Sequence, residues 1–323
     1  MDASHAADGR GDSMRHDHLG FPIPPEFDPP DGSERRTRAS MGRPRSPGRG
    51  KRVLVLGLIA AVVGPGLAAP AIVPVLRDVV VRWSVQRAFD HEARGRPSAA
   101  IGDLGRAVAW SGEDAHLAAE LLCWRAMLRI DARDATGAAA DAGRAIALVP
   151  TASRPRRVRA LAHVVLARPD EALADAEAAV GLAGPDDPES LNLRAYVRAL
   201  VGRDLEAALA DIDAALAGES AAAPEMLDTR GYVLHLLGRH QEAIDLLNEA
   251  IAAVAARRRD AIERGRQGGG VDAARELRSL DRDLAVMHHH RGLACRAVGL
   301  DAQAEQDLDI AVRKGYDPSR GVM

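Results

Sequence analysis

The chain has 323 residues, of which 47% are apolar and only 3% aromatic, and its formal net charge at pH 7 is −3. This negative balance argues against a nucleic-acid-binding protein taken as a whole, so we expect no nucleic-acid partner. Alanine, the residue with the highest helix propensity, dominates the second half, and no long segment alternates apolar and polar residues with a period of two. The composition therefore predicts an all-α chain.

Residues 1–52 are rich in Gly, Pro, Asp, Ser and Arg. They carry too little apolar surface to offset the entropy of ordering, so we predict a disordered N-terminal tail. The end of this tail, from Arg35 to Arg52, is basic. A basic run beside an apolar segment attracts anionic lipid headgroups. Nucleic-acid binding by the tail is the competing interpretation, and a topology signal alone is the simplest one.

Residues 53–76 contain no charged or strongly polar side chain over 24 positions. About 20 apolar residues suffice to span a bilayer, so this segment predicts one transmembrane helix. Its prolines would kink or fray the second half, which membrane helices tolerate. Two alternatives are a cleaved signal peptide ending near Ala69-Pro70-Ala71 and a buried core helix.

The flanks of this apolar segment predict its orientation. Within about 15 residues, six basic side chains precede the segment and three follow it. Because basic residues collect on the cytoplasmic side, we predict that the N-terminus is cytoplasmic and that residues 77–323 lie outside the cytoplasm. The residues counted are Arg38, Arg43, Arg45, Arg49, Lys51 and Arg52 before the segment, and Arg77, Arg82 and Arg87 after it.

Residues 226–251, MLDTRGYVLHLLGRHQEAIDLLNEAI, have the pattern of a helical hairpin. Leu227, Gly231 and Leu234 recur at i, i+4 and i+7, which places them on one face of a first helix. Gly238 is expected to end that helix, because a residue without Cβ adopts the left-handed conformation of a C-cap. A second apolar stripe then follows: Ala243, Leu247, Ala250 and Ile251.

This unit occurs six times along the chain. Each second helix carries two small residues seven positions apart, and the pairs recur every 34–38 residues, except for one interval of 61. One hairpin cannot bury its own apolar face, so the copies are expected to stack on one another. The pairs are Ala100/Ala107, Ala138/Ala145, Ala172/Ala179, Ala208/Ala215, Ala243/Ala250 and Ala304/Ala311.

A charged pair recurs in the same register. Each first helix has an Arg followed by a small residue, and five second helices have an Asp at the matching position. The fifth copy has Leu246 there, with Asp245 beside it. We predict a structural ion pair within or between repeats, and that Arg230→Ala lowers the melting temperature by several degrees. The residues are Arg87, Arg125, Arg159, Arg194, Arg230 and Arg291, with Asp103, Asp141, Asp175, Asp211 and Asp307.

The period, the small residue in the first helix and the small–large–small pattern of the second resemble the tetratricopeptide repeat (TPR) family over residues 82–318. Ala243, Leu247 and Ala250 show the second-helix pattern. The resemblance implies an α–α superhelical solenoid of about six helical hairpins, which we assign to residues 77–323. It also implies a concave groove lined by the first helices of the hairpins.

Polar and aromatic side chains are expected to line that groove in the last three copies. Two tyrosines in register on adjacent helices supply rigid contact area with hydrogen-bonding tips, unless they pack between repeats. The cationic clamp that some family members use for peptide C-termini is not matched, so a chaperone tail is not the expected ligand. The candidate partner-binding residues are Asn192, Tyr196, Asp228, Tyr232, His235 and His289.

The 61-residue interval places 27 extra residues within 257–283. The apolar stripe of the preceding helix runs on toward Ile262, breaks at Gly268–Gly270 and resumes at Leu277. We therefore predict a lengthened helical hairpin that projects from the solenoid, with Arg257–Arg259 and other charged residues solvated. It is either a tolerated insertion or a docking arm for a partner.

No catalytic motif is recognisable, and we expect no cofactor. The run His288–His290 is the one candidate metal site, but adjacent helical residues point about 100° apart and cannot easily share one ion. Cys123 and Cys295 fall in distant repeats, too far apart for a disulfide, and are expected to be small buried apolar residues.

The sequence therefore predicts a non-catalytic, single-pass membrane protein whose solenoid is a scaffold or adaptor for a protein or peptide at the cell envelope. One alternative is an enzyme or accessory subunit with a site formed by His288–His290 and Asp228. Another is a self-assembling protein, because only a few residues follow the last helix and would leave the terminal repeat open for a homo-oligomer contact.

Overall fold

The computed structural model describes residues 69–218 and 223–317. The predicted disordered tail, 1–52, and most of the predicted transmembrane helix, 53–68, lie outside the described residues. The rest of that predicted span, 69–76, is the start of the first helix. In the described part of the chain, no helix combines the length and the apolar character that crossing a bilayer requires.

The described residues form twelve helices and no strand, which confirms the all-α prediction. They pair in chain order as six helical hairpins, with an odd-numbered helix first and an even-numbered helix second. The helices are α1 (Ala69–Ala93), α2 (Pro97–Trp110), α3 (Ala115–Asp131), α4 (Ala135–Leu148), α5 (Arg154–Val165), α6 (Pro169–Ala183), α7 (Pro188–Val201), α8 (Leu205–Ala217), α9 (Pro224–Leu236), α10 (His240–Arg266), α11 (Gly270–Ala297) and α12 (Asp301–Arg313).

Local sequence sets where these helices begin and turn. Asp114, Asp134 and Asp187 cap α3, α4 and α7 by accepting a hydrogen bond from the backbone N–H three residues later. Proline stands in the first turn of five helices, where its missing N–H costs nothing. The turn inside every hairpin holds a residue with positive φ, and the fourth holds two: Gly95, Arg133, Ala167, Gly202 with Asp204, Gly238 and Gly299.

Small residues allow the two helices of each hairpin to approach closely. All twelve alanines of the predicted pairs have no accessible surface. A Cβ added to Gly231 would lie 2.8 Å from Leu247 Cγ, and one added to Gly292 would lie 2.8 Å from Leu308 Cγ. The first and second helices of the fifth and sixth hairpins are therefore in close contact at these glycines.

Gly231→Ala tests this contact. The new methyl group would displace Leu247, and overpacking a core costs about 1–3 kcal/mol, more than the roughly 1 kcal/mol gained in helix propensity. We expect a lower thermal midpoint. The matched control is Gly181→Ala in α6, where an added Cβ meets nothing within 4 Å, so that midpoint should rise. A midpoint for Gly231→Ala that equals or exceeds the control would contradict the close contact.

The predicted ion pair joins the two helices of five hairpins. In four of them the Arg donates from two nitrogens to both carboxylate oxygens, at 2.5–2.8 Å. In the first hairpin, Arg87 lies 3.4 Å from Asp103. In the fifth, where Leu246 replaces Asp, Arg230 instead donates to Asp213 of the preceding hairpin at 2.7 Å. The arginine of the fifth hairpin therefore pairs between hairpins and not within its own.

A second basic side chain faces the same carboxylate in the first four hairpins. It lies one helical turn after the Arg, and its nitrogen is 2.5–3.6 Å from the Asp oxygen. The sequence analysis missed it, although its i+4 spacing is visible in the sequence. The four residues are His91, Arg129, His163 and Arg198.

The two cysteines are buried thiols in α3 and α11, as predicted. Burial raises the pKa of Cys123 to about 12 and raises the pKa of Cys295 above its usual value. Because the thiolate is the reactive form, neither side chain is a nucleophile at neutral pH.

The odd-numbered helices contact one another in sequence from α3 to α11, and α11 also contacts α1. We call the side on which these helices meet the inner face. The lengthened hairpin consists of α10, with 27 residues, and α11, with 28 residues. Its tip, residues 263–270, is exposed as expected, but the first half of α11 packs against the first hairpin instead of standing free.

Three arginines at i, i+3 and i+7 on α11 bond the first two hairpins, and we call them the arginine strap. The acceptors include Ala93 and Asp131, the last residues of α1 and α3, where the helix dipole presents negative charge. Arg257 and Arg259 are exposed, as expected for solvated charges, whereas Arg275 and Arg282 are partly buried in these contacts. The bonds run from Arg275 to Glu92, from Arg278 to the Ala93 carbonyl and from Arg282 to Asp131, at 3.2, 2.8 and 2.7 Å.

Candidate functional site

The predicted partner-binding residues all lie on three odd-numbered helices. Asn192 and Tyr196 are on α7, His289 is on α11, and the other three are on α9. The structure assembles most of them around His290, which the sequence analysis had placed only in the His run. The members on α9 are Asp228, Tyr232 and His235.

His290 is the centre of this cluster and is only 2% exposed. Its Nδ1 lies 2.9 Å from Asp228 Oδ1. Its ring stacks on Tyr232, with centroids 4.1 Å apart and planes 13° apart, and meets Tyr196 edge-on at 6.4 Å. Helix α11 therefore places an imidazole against the two tyrosines of α7 and α9 that were predicted to bind a partner, and partly covers them.

The neighbouring histidines face other partners. His289 stacks on Tyr316, with centroids 4.1 Å apart, and His288 Nδ1 lies 2.8 Å from Asp307. The three adjacent imidazoles thus point in different directions, as the helical geometry requires. Within the described ranges, no group of three His, Cys, Asp or Glu side chains could hold a metal ion.

Tyr316 is a residue of the site that was not predicted from the sequence. It follows the last helix, is buried, and packs on Ala285 and Ala311. Burial raises the pKa of Tyr316 to about 12. Its only signal in the sequence is one aromatic residue in a polar segment after α12, in a chain that has just three tyrosines.

Two histidines and two tyrosines of the cluster are uncharged at neutral pH. Burial, helped by the charge of nearby histidines, lowers the pKa of both His235 and His289 to about 4. Burial also raises the pKa of Tyr196 and of Tyr232, with Asp228 adding to both shifts. Neutral imidazoles and phenols can donate and accept hydrogen bonds but offer little charge for an ionic ligand.

Two oxygens near this cluster lack a hydrogen-bond partner within the described chain. They are Asn192 Oδ1 and Asp283 Oδ2, and both atoms are buried. Burial, together with the negative charges of Glu225 and Asp228, raises the pKa of Asp283 to about 7. Buried polar groups are nearly always hydrogen-bonded, so these oxygens are candidate acceptors for a donor from another molecule. The sequence analysis did not identify Asp283.

Acidification is expected to destabilise the folded chain through His289, a member of the cluster around His290. Between about 4, the folded pKa of His289, and about 6.5, its unfolded pKa, the unfolded chain binds more protons, so stability falls as the pH falls. Asp283 acts in the opposite sense, because its raised pKa favours proton uptake by the folded chain over part of this range.

The variant His289→Gln isolates the first effect. Its thermal midpoint should fall less between pH of about 7 and about 5 than the midpoint of the unchanged chain does. Asp283→Asn is the control and should lose more, because its opposing contribution is gone. Equal losses in all three proteins would contradict a neutral, buried His289.

No protein-family model and no curated protein matches this chain. Among solved structures it is similar to a tetratricopeptide repeat protein from Parabacteroides merdae, at 16% identity and a TM-score of 0.44, over 74% of this chain and 94% of that one. It is also similar to the thermophilic TPR protein TTC0263 of Thermus thermophilus, at 24% identity and a TM-score of 0.45, over 55% and 90%.

A third similar structure is PilW, a type IV pilus biogenesis factor, at 14% identity and a TM-score of 0.47, over 74% of this chain and 96% of that one. All three TM-scores lie below 0.5. The description of residues 69–317 as a TPR-like α solenoid therefore rests on their own six hairpins and buried alanine pairs.

Proposed function

We propose that this protein is a non-catalytic scaffold or adaptor that binds a protein or peptide on the inner face of its solenoid. The observation that carries the proposal is the pair of buried, unpartnered oxygens, Asn192 Oδ1 and Asp283 Oδ2. A peptide N–H or a side-chain donor would satisfy them, and the tyrosines beside them would supply apolar contact area.

The alternative of an active site at the His run stays a prediction. Asp228 does hydrogen-bond His290, as that alternative requires. However, His288 and His289 face Asp307 and Tyr316, so the run does not converge on one point. Self-association through the last hairpin also stays a prediction.

Binding can be tested with the tagged full chain solubilised from membranes. We expect the unchanged protein to retain a polypeptide that Asn192→Ala/Asp283→Ala loses. The control is Asp272→Ala, an exposed carboxylate on α11 outside the cluster, which should retain it. Equal recovery by all three folded proteins, checked by circular dichroism, would overturn binding at this face.

We further propose that residues 53–76 anchor the protein in a membrane, with the N-terminus cytoplasmic and the solenoid on the other side. The support is an apolar run of 24 residues preceded by a basic segment. Protease treatment of sealed vesicles decides this for a C-terminally tagged chain. Degradation of the solenoid from the cytoplasmic side would overturn the orientation.

A further inference from the structure

Helix α1 carries apolar side chains on two opposite faces. One face, which includes Val81 and Val85, is buried in a cluster shared with α2 and α3. The opposite face presents Val75, Val79 and Trp83 at i, i+4 and i+8, and these side chains are 62%, 55% and 53% exposed. A helix face in water is normally polar, so this stripe indicates a second apolar environment.

The charged residues around the stripe are mainly basic. Residues 77–87 contain three arginines and one aspartate. The Arg87 guanidinium lies over the Trp83 ring, 4.5 Å from its centroid, and Arg82 hydrogen-bonds Asp78 at 2.9 Å. An apolar stripe bordered by cations and a tryptophan fits a surface with acyl chains beneath anionic headgroups.

The position of α1 in the chain identifies this surface. The described part of this helix begins at Ala69, inside the apolar run 53–76, so the end of that run, 69–76, and the stripe share one helix. At about 1.5 Å per residue, Val79 lies about 4.5 Å and Trp83 about 10 Å beyond residue 76. Headgroups occupy about 5–8 Å on each side of the hydrocarbon core, so a tilted α1 would place both side chains among them.

We propose that the stripe formed by Val75, Val79 and Trp83 lies in the interface of an anionic lipid bilayer and docks the first hairpin on it. This inference rests on the proposed membrane anchor and extends it from a tether to a fixed contact. A protein covering the stripe, whether a second copy or another chain, is the competing outcome.

The chain has three tryptophans, and two of them make a matched pair for a quenching experiment. Full-length Trp110→Phe/Trp124→Phe retains Trp83 alone, whereas Trp83→Phe/Trp124→Phe retains Trp110, which is 44% exposed at the end of α2. Each is reconstituted in phosphatidylcholine–phosphatidylglycerol vesicles containing lipid brominated close to the headgroup. We expect at least twofold quenching of Trp83 and none of Trp110.

Trp124 packs against Phe89, so its replacement can perturb the fold. A second comparison avoids this: the brominated lipid should quench the unchanged chain, and Trp83→Phe alone should abolish that quenching.

Three results would overturn the proposal. If the protein resists alkaline extraction but Trp83 is not quenched by brominated lipid, the anchor stands and the interface contact fails. If Trp83 is shielded from aqueous acrylamide as well, a protein covers the stripe. If alkaline treatment releases the chain from the vesicles, the anchor and the contact both fail.

Discussion

Replacing Arg125 with Ala is expected to destabilise the protein by about 3–5 kcal/mol, because it leaves a buried carboxylate without its bidentate partner. Arg125 is 9% exposed and Asp141 only 2% exposed. Their two hydrogen bonds measure 2.7 and 2.5 Å. Arg129 remains 2.9 Å from Asp141 and should keep the loss near the lower end of this range. The measurement is chemical unfolding at neutral pH.

Arg230→Ala is the matched control for Arg125→Ala. The sequence analysis expected it to cost several degrees, but its partner in the structure is Asp213, whose side chain is 48% exposed. Exposed ion pairs contribute about 0–1 kcal/mol, so we now expect a small change. Arg125→Lys should fall between the two, because an ammonium group keeps the charge but loses the planar fork. Equal losses for Arg125→Ala and Arg230→Ala would contradict the role of burial.

The features that the sequence predicted correctly are those set by contacts within one hairpin. The chain from Gly231 to Leu247 includes the end of one helix, a short turn and the first part of the next helix. The chain from Arg125 to Asp141 does the same. A pattern that repeats at such intervals therefore specifies the helix pair, its crossing point and its ion pair. The break at Gly268–Gly270 likewise predicted the two long helices of the fifth and sixth hairpins.

The features that the sequence did not predict depend on how rotation accumulates from hairpin to hairpin. No local pattern predicts that the sixth hairpin contacts the first. The hydrogen bond from Arg275 to Glu92, 183 residues away, could therefore not be predicted. For the same reason, His290 could not be placed between Tyr196 and Tyr232. The candidate residues lie on the odd-numbered helices α7, α9 and α11, but the space between their two tyrosines is partly filled by His290 of the chain itself.

Removing the arginine strap by Arg275→Ala/Arg278→Ala/Arg282→Ala is expected to separate α11 from the first hairpin while the individual hairpins stay folded. Hydrogen bonds to charged groups contribute about 1.5–3 kcal/mol each when buried, and less here because these side chains are partly exposed. Arg275 also lies over the Phe89 ring, 4.6 Å from its centroid, so its loss removes packing as well.

Amide hydrogen exchange measures this separation directly. We expect exchange to accelerate at least tenfold at the ends of α1 and α3, since about 1.4 kcal/mol corresponds to a factor of ten. The control is Arg264→Ala, whose ion pair with Glu276 joins α10 and α11 on the exposed part of the hairpin. It removes one arginine from the same hairpin without touching the first two hairpins, so their exchange should not change.

Binding to the strap variant also distinguishes two ways in which a partner could contact the inner face. If the proposed ligand competes with α11 for Tyr196 and Tyr232, the strap variant should bind it more tightly, because less work is needed to displace the helix. If the ligand instead bonds Asn192 and Asp283 beside a helix that stays in place, the variant should bind it more weakly, since Asp283 itself lies on α11. Accelerated exchange with unchanged affinity would place the partner away from the inner face altogether.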